Sequence, residues 1–254
     1  MKKLAIIGAV ILLLGVLAAA GGFIAAKGDI SVLDVDGGFW RINTGKASES
    51  ERVERTFMSD GLKKIEVSTI SDSVKVGTSD DGLVHVTYYT ESNKEYAISE
   101  GNGALAIKEK RTKNFAIFNF DLGISSGNTT VLIPEGMTLE LDVSTVSGSA
   151  ELIANGGAVT VETTSGSVRL EGSAKTLNVN TVSGSVRLSG FSADKITIET
   201  VSGSVTGSLS GSQEDYAVGF STVSGSCNLE KKSTGSKKLE ASTVSGSVQL
   251  SFAG

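Results

Sequence analysis

The chain carries one thiol, Cys227, and one imidazole, His85. With a single Cys no intramolecular disulfide can close, and one Cys with one His cannot assemble the usual zinc spacings. Serines are numerous. A nucleophilic Ser needs a base within hydrogen-bond reach, and no His stands near the recurring Ser-Gly-Ser strings. Neither G-x-S-x-G nor the phosphate-cradling G-x-x-x-x-G-K-[ST] occurs. The remaining chemistry is a carboxylate pair, Glu162 and Glu199. If the chain stacks as its repeats suggest, the two lie two turns apart, roughly 9–10 Å at ~4.8 Å per turn, a gap at which paired-carboxylate glycoside hydrolysis is geometrically conceivable. Nothing else marks a cleft there, and solvated strands carry Glu routinely. The expectation is therefore a non-enzyme with no catalytic, cofactor or metal residues. Calcium is not expected either, because the Gly- and Asp-dense nonapeptide of calcium-binding β-rolls is absent.

What positions these residues is a repeat. TVSGS or TTSGS occurs at 145–149, 163–167, 181–185, 200–204, 222–226 and 243–247. The central glycines are Gly148, Gly166, Gly184, Gly203, Gly225 and Gly246, spaced by 18, 18, 19, 22 and 21 residues. A period near 20 signals a stacked repeat architecture. Seven residues before each Gly stand Leu141, Val159, Leu177, Ile196, Val218 and Leu239; two after stand Ala150, Val168, Val186, Val205, Cys227 and Val248. Five before stand Val143, Val161, Val179, Ile198, Phe220 and Ala241, and four after stand Leu152, Leu170, Leu188, Gly207, Leu229 and Leu250; the residues alternating with these columns are mostly polar, so each side of the Gly reads as a half-buried strand. Apolar parity switches across the motif, which calls for a bend. The corner glycines are expected there for their backbone freedom, with Ser hydroxyls serving the turn. Cys227 falls in an inward column and reads as a small buried hydrophobe.

A degenerate copy precedes these. Ile65, Val67, Val74 and Val76 flank Ser71-Asp72-Ser73, so Asp72 takes the Gly place, where a left-handed turn is tolerated. Strand-like runs follow at 83–90, 95–99, 104–108 and 129–133. His85 reads as a surface strand residue in the first of them. Residues 114–124, rich in Phe and Ile, are either a capping flap or an exposed aromatic loop. The resulting fold class is all-β: a β-solenoid of about 18–22-residue rungs preceded by one transmembrane helix.

The stretches LKKIEVSTISDSVKVGTSDDGLVHVTYY, ALAIKEK and VLIPEGMTLELDVSTVSGSAEL resemble the bacterial putative-adhesin domain family of unknown function, including LiaG-like proteins of cell-envelope stress operons. The resemblance runs from about residue 59 to 252. It implies a β-solenoid behind a membrane helix and supplies no catalytic residues. Ser149 replaces the acidic residue that usually follows the family's corner Gly, which Gly148 matches.

Lys2 and Lys3 precede an uncharged run over residues 4–26, long enough to cross a ~30 Å hydrocarbon core. The flanking charge predicts a cytoplasmic N-terminus and an extracytoplasmic body. Cleavage as a signal peptide near Ala18-Ala19-Ala20 is the rival reading. The expected organisation is an anchor or signal at 1–28, a juxtamembrane linker at 29–58, and a solenoid at 59–254, irregular over 59–138 and regular over 139–252. The formal net charge of −5 argues against nucleic acid as a partner. The outward polar columns, among them Glu151, Arg169 and Arg187, suit either a soluble exterior or a repeating polymer such as a cell-wall glycan. The functional expectation is an envelope-binding, adhesin-like or envelope-stress module, with a membrane-protein partner also conceivable. The alternatives are end-to-end assembly through an open solenoid end near 251–254, or a polysaccharide-active enzyme. Ice binding is set aside because Thr145, Thr181 and Thr200 share inward parity.

Overall fold

A computed structural model describes residues 50–92, 94–111 and 127–253. The expected membrane span and the 114–124 segment lie outside the described residues. Among those described, no helix is long and apolar enough to cross a membrane.

The described chain is all-β, in one 16-stranded sheet. The irregular first part supplies β1 (Glu51–Met58), β2 (Lys64–Thr69), β3 (Ser73–Ser79), β4 (Leu83–Thr90), β5 (Lys94–Gly101), β6 (Ala104–Arg111) and β7 (Asn128–Pro134). The repeats supply β8 (Glu140–Thr145), β9 (Ala150–Asn155), β10 (Ala158–Thr163), β11 (Val168–Thr181), β12 (Val186–Thr200), β13 (Val205–Ser210), β14 (Tyr216–Thr222), β15 (Lys237–Thr243) and β16 (Val248–Ala253).

Successive repeats pair in parallel and in register. Strand segments before the corner form one ladder, with Ile65, Leu141, Val159, Leu177 and Ile196 in line. Segments after it form a second, with Val74, Ala150, Val168, Val186 and Val205 in line. β-branched and aliphatic residues at every second position suit a pleated, half-buried surface. Their inward members are almost fully buried: Ile65, Val168, Leu177, Ile196 and Val205 are each 0% exposed. Burying each such side chain contributes about 1.5–3 kcal/mol. The polar partners alternate outward.

The corner glycines are required for a different reason from the one expected. None of the six has a positive φ, and Asp72 is not left-handed either. Instead the corners stack so closely that a Cβ on Gly166, Gly184 or Gly203 would lie 1.7–1.8 Å from the carbonyl oxygen of the corner beneath. The corner needs the absence of a side chain. At the first four corners the buried Gly N–H is served by Thr: Gly148, Gly166, Gly184 and Gly203 donate to Oγ1 of Thr145, Thr163, Thr181 and Thr200 at 2.9–3.0 Å. Ser contributes outside, where Ser149 and Ser167 N–H donate to Ser73 and Ser149 hydroxyls at 3.1 and 3.3 Å.

The stacking order departs from the chain order at the end. β15 pairs with both β12 and β14, and β16 pairs with β13. The corner column runs Gly203, Gly246, Gly225, each seated on the carbonyl of the one before. The last repeat is thus inserted between the fourth and the fifth. The 22-residue interval before Gly225 explains it: four residues more than the regular 18, at up to ~3.3–3.6 Å each, carry the chain past one ~4.8 Å level. The outer end of the stack is therefore β14, not the C-terminal strand expected to form the open edge. Cys227 belongs to this outermost rung, meets Val248 by one bridge, and is half-buried rather than a core residue. Asn228 covers part of the exposed edge. Its amide donates to Leu250 O at 2.8 Å and accepts from Leu250 N at 3.0 Å, standing in for a strand.

The opposite end is closed by antiparallel strands that a simple coil lacks. β4 pairs with β7 and β1 with β4, while β5 and β6 form a hairpin whose β6 lies against β2. Residues 51–58, expected to end a linker, are strand β1, because its alternate Val53 and Phe57 pack on the core.

Candidate functional site

Two features stand out at the β1–β7 end. The first is an outward column that crosses the second ladder. Register places Glu54, Thr87, Thr130, Lys75, Glu151, Arg169, Arg187, Thr206 and Gln249 side by side on nine neighbouring strands. At ~4.8 Å per step the row is roughly 38 Å long. Lys75, Glu151, Arg169, Arg187 and Gln249 are exposed. Opposite charges adjoin where Glu151 sits between Lys75 and Arg169.

The row begins in an open groove of about 510 Å³ lined by Arg52, His85, Thr87, Tyr89, Asn128 and Thr130, among others. β4 supplies His85, Thr87 and Tyr89 from one face by its alternation. His85 is held in place. Its Nε2 lies 2.8 Å from Asp81 Oδ2, and its Nδ1 lies 3.4 Å from Thr56 Oγ1. Asp81's carboxyl is held below its ordinary range, chiefly by the Leu83 N–H it accepts and then by His85. A phenol ring among amides, hydroxyls and a guanidinium can stack on an apolar sugar face while hydrogen-bonding its hydroxyls.

The second feature is a cluster of buried charges at the foot of the corner column. Asp72 and Lys94 are each 0% exposed and Glu109 is 2% exposed. Lys94 Nζ donates to both Asp72 oxygens at 2.9 and 3.1 Å. Tyr96 OH donates to Asp72 Oδ2 at 2.7 Å and lies 2.7 Å from Thr129 Oγ1. Glu109 accepts the Ile70 and Ser71 N–H groups at 2.6 and 3.1 Å. Asp72's side chain points off the end of the glycine column, toward Gly127, where no further corner blocks it. Burial is the main influence raising its carboxyl above the usual range, against the lowering effect of Lys94 and Tyr96. The sequence pointed to Asp72 only as a corner. Lys94 and Glu109 carry no local signal, since each falls just outside the strand-like runs 95–99 and 104–108, and they become the buried members of β5 and β6 only in the fold.

The other anticipated residues fall elsewhere. Glu162 and Glu199 flank Asn180 in one outward column, two rungs apart as the spacing implied. Cys227 lies at the far end of the stack from His85. Among the described residues no three His, Cys, Asp or Glu side chains are grouped to hold a metal ion.

Comparison with known proteins matches residues 62–253 to the Toastrack DUF4097 family. A putative cell adhesion protein from Clostridium sporogenes superposes with a TM-score of 0.55 at 12% identity, over 81% of this chain and 100% of that one. A putative adhesin from Bacteroides fragilis gives a TM-score of 0.44 at 14% identity, over 82% of this chain and 100% of that one. A putative lipid binding protein from Parabacteroides distasonis gives 0.32 at 12% identity, over 80% of this chain and 98% of that one. At such identities the likeness speaks to fold alone, and of these three only the Clostridium protein is near enough to do so. No curated protein sequence matches. The family match takes in every strand from β2 to β16, and on that ground the chain belongs to the Toastrack DUF4097 family.

Proposed function

We propose that the chain is an adhesin-like β-solenoid module, held outside the cytoplasm by its N-terminal apolar segment, that binds a repeating glycan of the cell envelope. The observation that carries this reading is the unbroken polar row from Glu54 to Gln249, which opens at one end into the groove holding Tyr89. A flat row with one side chain per ~4.8 Å offers a long polymer many weak, similar contacts. The apolar run at residues 4–26 behind two lysines supports the membrane placement. An envelope-stress role is in keeping with that placement.

Sedimentation of the full chain, in mild detergent, with purified peptidoglycan tests the reading. Retention should fall at least tenfold in the Arg169→Ala/Arg187→Ala double variant and in Tyr89→Ala. Equal retention of all three forms, or none of the wild type at physiological salt, argues against it. A second reading, end-to-end assembly, rests on β14, whose outer edge is met by a single bridge, Val218 to Lys232, and by no further strand among the described residues. It requires a mass that rises with concentration in light scattering.

A further inference from the structure

The buried cluster has the parts of a condensation site. A primary amine and a carboxyl group face each other in a place shut off from water, with a hydrogen-bond donor fixed on the carboxyl and a second carboxylate nearby. We propose that Lys94 and Asp72 join covalently, through an amide between Lys94 Nζ and Asp72 Cγ that staples the β5–β6 hairpin to the first corner of the stack.

The geometry is close to that of reaction. Nζ lies 2.9 and 3.1 Å from the two carboxyl oxygens, which puts the carboxyl carbon within roughly 3.5 Å of the nitrogen, the range of a near-attack arrangement. Both residues are held by their strands and corner, so little freedom remains to be lost. One proton moves along the 2.9 Å hydrogen bond from the ammonium to the carboxylate and converts the ion pair into an amine and an acid. Nζ then bonds to Cγ. The C–O bond of one oxygen breaks, and that oxygen leaves as water with two protons that began on the ammonium. No oxidant or external reactant is needed.

Nζ also lies 3.4 Å from Glu91 Oε1, and the rest of the surroundings favour the reaction. A low-dielectric site disfavours the charged pair relative to the neutral one. Asp72's carboxyl is already raised, by burial first, with the charge of Glu109 adding in the same direction. Tyr96 OH, 2.7 Å from Oδ2, is placed to stabilise the oxyanion that forms at Cγ. The ring of Tyr88, 4.7 Å from that of Tyr96, backs the donor. Glu109 is fixed beside the corner by the Ile70 and Ser71 N–H groups. The reverse reaction needs a water molecule in a place where Asp72 and Lys94 are both fully enclosed.

Mass spectrometry of the purified full chain reads the outcome. Wild type should be lighter by one water than its sequence requires, whereas Lys94→Arg, which keeps the cation but offers no primary amine, should show its full mass. Trypsin should release residues 65–75 joined to residues 76–108, with no cleavage after Lys94. This map needs only the wild type, so it decides the matter even if the variant does not fold. Separate 65–75 and 76–94 peptides, or a water loss confined to the Asp72 peptide as in a succinimide, would overturn the proposal.

Discussion

Replacing Gly184 with Ala places a methyl carbon 1.8 Å from the Gly166 carbonyl oxygen, where side-chain carbons essentially never approach within 3.0 Å. The corner must open by about 1.2 Å. Ser183 N–H now donates to Thr164 O at 2.9 Å and Val182 N–H to Thr163 O at 3.2 Å, and both bonds stretch beyond useful range. Two lost backbone hydrogen bonds at ~1 kcal/mol each, with ~1–3 kcal/mol for overpacking, give roughly 3–5 kcal/mol of destabilisation. In a domain of this size that lowers Tm by about 6–20 °C. Two controls separate this steric account from one based on backbone angles. Gly190 has φ +56 with nothing within 4 Å of its would-be Cβ, so Gly190→Ala should cost only ~1–2 kcal/mol. Gly219 has an ordinary φ and its nearest neighbour at 3.8 Å, so Gly219→Ala should be neutral or stabilise by ~0.5 kcal/mol. Urea denaturation followed by circular dichroism ranks the three. A Gly184→Ala loss no greater than that of Gly190→Ala would refute the reasoning.

Further outcomes can be measured in the same way. Thr181→Val removes the acceptor for the buried Gly184 N–H and should cost ~1–3 kcal/mol, while Thr243→Val should cost almost nothing, since Thr243 Oγ1 has no hydrogen-bond partner. Tyr216 is buried and its phenol is raised above the usual range, by desolvation first and Asp215 second. The unfolded chain therefore releases this proton first. The stabilisation is complete below about pH 10 and is lost as pH climbs toward the raised folded value, so the urea midpoint should fall above pH ~10, and fall less in Tyr216→Phe. Truncation after residue 236 removes β15 and β16 from inside the stack, leaving β14 with only the Val218–Lys232 bridge; limited proteolysis should then digest residues 211–236 while the earlier rungs survive. A truncated form as resistant as the full chain would contradict the stacking order.

Much of this was legible in the residues because one period repeats and its inward columns are aliphatic. The parity switch located each corner and the strands on either side of it. The reason for the glycines was not legible, since sequence cannot separate a positive φ from a missing Cβ; both demand Gly. The displaced order of the last two repeats was hidden because a register is set by neighbours in space, and Leu239 fits beside Ile196 as well as Val218 would. One signal was present. The fifth repeat is the least regular, with Gly219, Phe220, Cys227 and the Lys231–Lys232 pair, and terminal repeats are commonly the atypical ones. Lys231 lies over the half-buried Phe220 ring, 4.7 Å from its centroid, as befits an end cover. The buried cluster was least legible. Lys94, Tyr96 and Glu109 meet Asp72 only because a hairpin folds over the first corner, and no spacing records that.

The inserted last repeat also bears on how such a chain can lengthen. Duplication of the 18-residue unit carrying Gly166 or Gly184 adds one level whose two faces match its neighbours, and nothing else need change. Duplication at the C-terminus has no such freedom, because β15 of the last repeat is already paired on both sides, with β12 and β14, and a copy following it finds no free edge beside it. Growth by copying is thus open in the interior of the array and closed at its tail. A longer member built on this plan should gain its extra units before Gly203 and keep its final two repeats as a matched, non-interchangeable pair.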